Sequence, residues 1–170
     1  MDTAKDTTVN VREKQSHLFD INEIEIIREL DLRGTEITEL PANLWVRYDL
    51  DLEGTKITEL PEDLRVGDSL YLQNTDIAEL PEDLKVGGRL DLRDTKVNKL
   101  SAGLKVGGHL DLRDTEITEL PEGLGVGGSL DLRGSKVTEL PEGLKVGGSL
   151  YIAGTDIVKI PKHLVFKTIV

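Results

Sequence analysis

From Leu30 onward the chain carries the pair Leu-x-Leu, and the pair returns at Leu50, Leu70, Leu90, Leu110, Leu130 and Leu150, always twenty residues on. Apolar residues fill positions 1, 3, 8, 11, 15 and 17 of each unit. In the copy LDLRDTEITELPEGLGVGGS these are Leu110, Leu112, Ile117, Leu120, Leu124 and Val126. Leu-x-Leu alternates with period two, so both leucines point inward from a short strand and the residue between them points outward. A fixed period this short predicts a solenoid in which each unit stacks on its neighbours. The few aliphatics of one unit cannot offset the entropy of ordering twenty residues. Each rung must therefore share its core and its backbone ladder with the rungs above and below.

The polar slots complete the local picture. Position 6 is Thr35, Thr55, Thr75, Thr95, Thr115 and Thr155, with Ser135 once, a short hydroxyl suited to bonding backbone where the strand turns away. All six prolines fall at position 12, and only Ser101 departs from it. The pairs Gly87–Gly88, Gly107–Gly108, Gly127–Gly128 and Gly147–Gly148 precede the next strand, and a corner with positive φ is expected there. The first copy writes Arg47–Tyr48 instead, so that corner does not strictly demand glycine. Position 7 reads Glu36, Lys56, Asp76, Lys96, Glu116, Lys136, Asp156. In a parallel stack each of these charges lies beside an opposite one.

The run LDLRDTEITELPEGL, from Leu110 to Leu124, resembles the leucine-rich-repeat pattern Leu-x-x-Leu-x-Leu-x-x-Asn-x-Leu from its second leucine onward. It is similar to the short twenty-residue bacterial class, and to repeats of this wording in bacterial and phage proteins. Two departures stand out: Thr or Ser replaces the usual Asn, and a Val four residues before the strand, across Gly-Gly, replaces the expected Leu. The resemblance implies a leucine-rich-repeat solenoid with short parallel β-strands, mostly β and irregular with little helix. The departures leave room for the alternative, a plain right-handed β-solenoid with a second short strand around Leu-x-Val. Seven rungs at strand spacing span about 34 Å.

Three segments are expected. Residues 1–12 form a disordered or flexible N-terminus. Residues 13–29 form a cap and partial rung, with a short helix over 13–22 in which Leu18 and Phe19 cover the core, and with Ile24 and Ile26 in slots 15 and 17. Residues 30–170 hold seven repeats and end in an edge strand within KHLVFKTIV. There Phe166 shields the core, or the open edge pairs with another copy.

Composition narrows the function classes. Aromatics are scarce at 4%, so the core is aliphatic. A net charge of −11 argues against nucleic acid and against an anionic membrane surface, which both need concentrated basic residues. The chain has no cysteine, which excludes disulfides, thiolate metal sites and cysteine nucleophiles. No apolar run has the length of a membrane span, and the opening MDTAKDTTVNVREK lacks the core of a signal peptide. A cytoplasmic protein is expected; the polar, Thr-rich start is also compatible with export without cleavage.

The candidate chemistry lies on the outward half of the Leu-x-Leu strand, which the resemblance implies is the ligand-binding side. Position 2 reads Asp31, Asp51, Tyr71, Asp91, Asp111, Asp131, Tyr151, and position 4 reads Arg33, Glu53, Gln73, Arg93, Arg113, Arg133, Ala153. The simpler reading is a solvated Asp–Arg lattice that supports solubility and register. The functional reading is a non-enzymatic protein-binding strip made of Tyr71, Arg89, Asp91, Arg93, His109, Asp111, Arg113, Asp131, Arg133 and Tyr151. A calcium site at Asp91, Asp94, Asp111 and Asp114 is disfavoured by Arg89, Arg93 and Arg113 on the same face, and no metal or cofactor is expected. Ice binding is disfavoured because the residue two beyond each Thr is a core Ile or Val. The scattered His17, His109 and His163 and the monotony of the units argue against catalysis. Trp45 is expected to pack on the cap, or to anchor a partner. Self-assembly through the VFKTIV edge is the alternative function.

Overall fold

The computed structural model describes residues 7–10, 27–162, 164 and 166–170. The architecture is a repeat solenoid of parallel β-strands, and no helix occurs among the described residues. Two columns of strands run its length. In the first, Ile27–Asp31, Leu50–Asp51, Leu70–Tyr71, Leu90–Asp91, Leu110–Asp111, Leu130–Asp131 and Leu150–Tyr151 pair in sequence order. In the second, Trp45–Val46, Arg65–Val66, Lys85–Val86, Lys105–Val106, Gly125–Val126 and Lys145–Val146 do the same. Every partner is one unit away, as in Leu110 beside Leu130 and Val106 beside Val126. This second column is the extra short strand that the Gly-Gly departure left room for.

The six apolar slots point into one continuous core. Leu110, Leu112 and Ile117 are fully buried, and Leu120, Leu124 and Val126 nearly so. Backbone bonds leave each rung along the axis: Leu110 N–H donates to Ser129 O at 2.9 Å and Leu112 N–H to Asp131 O at 2.8 Å. At the end of each Leu-x-Leu strand the threonine works as its chemistry suggests. Thr115 Oγ1 donates to Leu112 O at 2.7 Å, and Thr35, Thr55, Thr75, Thr95 and Thr155 repeat the bond in their own rungs. Ser135 keeps the backbone half, N–H to Leu132 O at 3.0 Å, but its Oγ has no partner among the described residues. Lacking the methyl, serine has a freer χ1 and is not held on the carbonyl.

Glycine is needed at the corner for a different reason from the one expected. None of Gly87, Gly107, Gly127 or Gly147 has positive φ. A Cβ on Gly107 would lie 2.1 Å from Gly87 O, and on Gly127 the same distance from Gly107 O. The carbonyl of the rung below occupies the space where a side chain would begin. Arg47 escapes this because the chain beneath it, Ile27–Asp31, runs straight through as one five-residue strand and turns no corner. Positive φ falls instead at position 5 of every unit, just after the Leu-x-Leu strand (Gly34, Gly54, Asn74, Asp94, Asp114, Gly134 and Gly154), and at position 14 in Asn43 and Gly123. Glycine, asparagine and aspartate are the residues that tolerate that region best. Asp94 and Asp114, weighed above as calcium ligands, thus have a local backbone reason to be there.

The two ends depart from the twenty-residue period. Ile27, not Ile26, pairs with Val46 and is buried in the Val column. Only two residues then separate it from Leu30, one fewer than in later rungs, because the strand skips the corner. Thr7–Asn10, within the segment expected to be flexible, is a strand parallel to Ile27–Asp31. The proposed helix over 13–22, Ile24 and Ile26 lie outside the described residues, as do His17 and His163. At the other end Ile169 bridges Leu150, nineteen residues back. Phe166 packs against the core, while Ile169 and Val170 are exposed. In the position 7 column Lys96 pairs with Asp76 at 2.8 Å and Lys136 with Glu116.

Two glycine substitutions separate the steric demand of the corner from general loss of glycine. Gly107→Ala is expected to destabilise the fold by about 3 kcal/mol or more, because two hydrogen-bonded rungs must part. Gly125→Ala, with nothing within 4 Å of its Cβ position and ordinary φ, is expected to be neutral or to stabilise by about 0.5 kcal/mol. Urea unfolding of both variants checks the contrast.

Candidate functional site

The outward face of the Leu column is an ion-paired lattice with a repeated geometry. In the Leu110 rung, Arg113 Nε donates to Asp111 Oδ1 at 2.9 Å and Nη2 to Asp111 Oδ2 at 2.8 Å, a bidentate fork. The Arg113 backbone N–H also donates to Asp111 Oδ1, at 3.3 Å. Asp31–Arg33, Asp91–Arg93 and Asp131–Arg133 repeat the fork. The local chain makes this easy: residues two apart on a strand share a face, and the turn at position 5 brings the position 4 N–H to the carboxylate. Each arginine then reaches toward the next rung, with Arg93 Nε 3.6 Å from Asp111 Oδ2 and Arg113 Nε 3.5 Å from Asp131 Oδ2. The principal partner is therefore in the same rung, and the diagonal contact is secondary.

The central carboxylates are buried, although position 2 was expected to be exposed. The Asp91 side chain is 1% exposed and that of Asp111 6%, against 34% and 31% for Arg93 and Arg113 above them. Arg89 from the preceding turn closes over both, its Nη2 lying 2.9 Å from Asp91 Oδ2 and 2.5 Å from Asp111 Oδ2. Burial pushes the Asp91 carboxyl up, but the Arg93 side chain, the Arg93 N–H and the charges of Arg89 and Arg93 outweigh it. The net result holds Asp91 below the usual carboxylate range. Hydrogen bonds with Asp91 and Asp111 raise the Arg93 and Arg113 guanidinium pKa values.

A cleft of about 290 Å³ gathers seven of the ten strip residues: Arg89, His109, Asp111, Arg113, Asp131, Arg133 and Tyr151. His109 Nδ1 accepts the Ser129 N–H at 2.9 Å, so its proton is on Nε2. Along the same column Ser69 N–H donates to Asp49 Oδ1 and Ser149 N–H to Ser129 Oγ, which makes His109 one of a series of backbone acceptors. Arg133 lies over the Tyr151 ring, 5.3 Å from its centroid. Asp91 and Arg93 lie outside that cleft, one rung earlier.

Tyr71 belongs to a separate cleft of about 380 Å³, with Asp49, Asp51, Glu53 and Gln73 in its walls. Those four residues were not among the candidates. Their signal was present in the position 4 column, where Glu53 and Gln73 interrupt a run of arginines. Asp51 has no fork from its own rung. Burial raises its carboxyl above the usual range, and the Glu53 N–H and Arg33 only partly oppose this.

Among the described residues no group of three or more His, Asp or Glu side chains is placed to hold a metal ion. Trp45 and Tyr48 are exposed, with Arg28 and Arg47 over the Tyr48 ring. No protein-family model matches the chain, and neither a curated protein nor a solved structure does.

The opposite shifts of Asp91 and Asp51 predict opposite mutational effects. Asp91 is more acidic in the folded chain, so its ionisation stabilises above the unfolded value near 3.9, and that stability is lost as pH falls through the lower folded value. Asp91→Asn is expected to cost about 2 kcal/mol at pH 7 by leaving Arg89 and Arg93 without their buried anion, and to flatten the acid limb. Asp51 is less acidic in the folded chain, so its stabilising contribution is present in acid and lost as pH rises through the folded value. Asp51→Asn is expected to leave Tm unchanged or raise it at pH 7. Thermal melts of both variants from about pH 2 to pH 7 test the signs.

Proposed function

We propose that this chain is a non-enzymatic protein-binding module of leucine-rich-repeat kind whose Asp–Arg–Tyr face docks a protein ligand. The leucine-rich-repeat kinship rests on the wording of the repeat. The observation that carries the binding reading is the fork geometry. Each position 4 guanidinium, at Arg33, Arg93, Arg113 and Arg133, is held by side-chain bonds to the carboxylate two residues before it, as in Arg113 on Asp111. Side chains fixed before contact lose little entropy on binding, and arginine and tyrosine are the residues that most often anchor interfaces. The non-catalytic reading is supported by the pairing of the central carboxylates: Asp91 and Asp111 are each committed to more than one arginine contact.

Reversing charge at Arg93 would be a poor test, because Asp91 beneath it is nearly inaccessible. The exposed end of the lattice is better suited: Asp131→Asn with Arg133→Gln keeps a hydrogen-bonding pair while removing both charges. Partners retained by the wild-type chain are expected to be lost by this double variant at unchanged Tm. An unchanged set of partners overturns the strip.

Ile169 and Val170, 41% and 58% exposed beside the last bridged rung, favour a second reading, self-assembly through that edge. Ile169→Lys is expected to abolish any concentration-dependent rise in light scattering. A wild-type monomer at all concentrations overturns this reading.

A further inference from the structure

The lattice is complete at Tyr151 and incomplete at Tyr71. Before Tyr151, the preceding rung supplies Asp131 and Arg133, and Arg133 both forks onto Asp131 and covers the tyrosine ring. Before Tyr71, the preceding rung supplies Asp51 in the slot of Asp131 but Glu53 in the slot of Arg133. No cation lies over Tyr71 among the described residues. Among the described residues Asp51 accepts the Glu53 N–H, at 3.1 Å, and has Arg33 Nε of the rung below at 3.2 Å.

Two further features mark this cleft. Glu29, Asp31, Asp49, Asp51 and Glu53 line it against the single cation Arg33. Gln73, 7% exposed, stands in its wall with its Nε2 donating to Glu53 Oε2 at 3.0 Å, while its Oε1 has no hydrogen-bond partner among the described residues. Turning the amide over would set two acceptors against each other, so the orphaned atom is the oxygen. An unmatched acceptor, an excess of carboxylates and a half-buried aromatic ring with no cation over it among the described residues together suit a ligand that is cationic, planar and rich in donors. A metal ion fits poorly, because no three carboxylates converge. A guanidinium fits all three demands.

We propose that this cleft binds an arginine side chain of a protein partner, supplied in trans where the chain itself carries Glu53. The incoming group would take the place that Arg133 fills in cis, forked on Asp51 and stacked on Tyr71. The proposal rests on the protein-binding reading above and names the partner's chemistry at one point of it.

The probe is acetyl-arginine-amide, titrated into isotopically labelled protein at low ionic strength and followed by NMR. Saturable shifts are expected at Tyr71, Glu53 and Gln73 with Kd on the order of 10 mM, and none at Tyr151, whose ring is already covered. The neutral citrulline counterpart is expected to leave these signals unmoved. Glu53→Arg, which fills the slot in cis, is expected to weaken binding about tenfold. Tyr71→Leu, which removes the aromatic face without adding charge, is expected to weaken it without disturbing the fold, as wild-type signal dispersion in both variants would confirm. Absent or non-saturable shifts, equal shifts at Tyr151, an equal response to citrulline, or undiminished binding in Glu53→Arg each overturn the proposal. The Asp131–Arg133 exchange tests a different part of the face, so the two readings fall separately.

Discussion

Every feature of this protein depends on backbone bonding between rungs at a fixed offset. The N–H of Leu110 reaches Ser129 and that of Gly107 reaches Val86, so the strands of each rung are satisfied by its neighbours. A contact this close leaves no room at the corner, where the carbonyl of Gly87 stands where a Cβ of Gly107 would be. The glycine columns, the unbroken period and the two-residue strands all follow. One inserted residue would slip a rung and turn its leucines out of the core.

The same stacking concentrates like with like. Asp91, Asp111 and Asp131 stand above one another in the Leu column, and Arg65, Lys85 and Lys105 do so in the Val column. Buried stacked carboxylates are tolerable only with cations beside them, and arginine two residues along the strand is the shortest route to one. Where the carboxylate is buried, as at Asp91 and Asp111, the Asp–Arg pairing is thus a structural requirement before it is anything else. It also produces a surface whose charged groups are held in fixed places, which an interaction face needs. On the proposed reading, structure and recognition use the same side chains.

That double use explains why interruptions of the lattice carry more information than its regular part. At Arg113 the chain satisfies its own carboxylate. At Glu53 it does not, and the consequences gather within one cleft: a less acidic Asp51, a Gln73 Oε1 without a partner and a Tyr71 ring without a cation over it among the described residues. Repetition supplies the comparison, since the completed arrangement around Tyr151 shows what the Tyr71 arrangement lacks.

Much of this was determined by the sequence alone. The period, the inward slots, a threonine hydroxyl bonding backbone where the strand turns away and the outward Asp and Arg columns could be read because each follows from local geometry and simple periodicity. Other features depend on what lies one rung away, about 4.8 Å along the axis but twenty residues along the chain. Only the stacked structure decided that Gly107 is required by a neighbouring carbonyl and not by its own φ, and that Ile27 takes the slot expected for Ile26. It likewise decided that Asp91 is buried beneath Arg89 and Arg93. The sequence names the residues of each column, but their burial and pairing arise from contacts between rungs, which no single repeat contains.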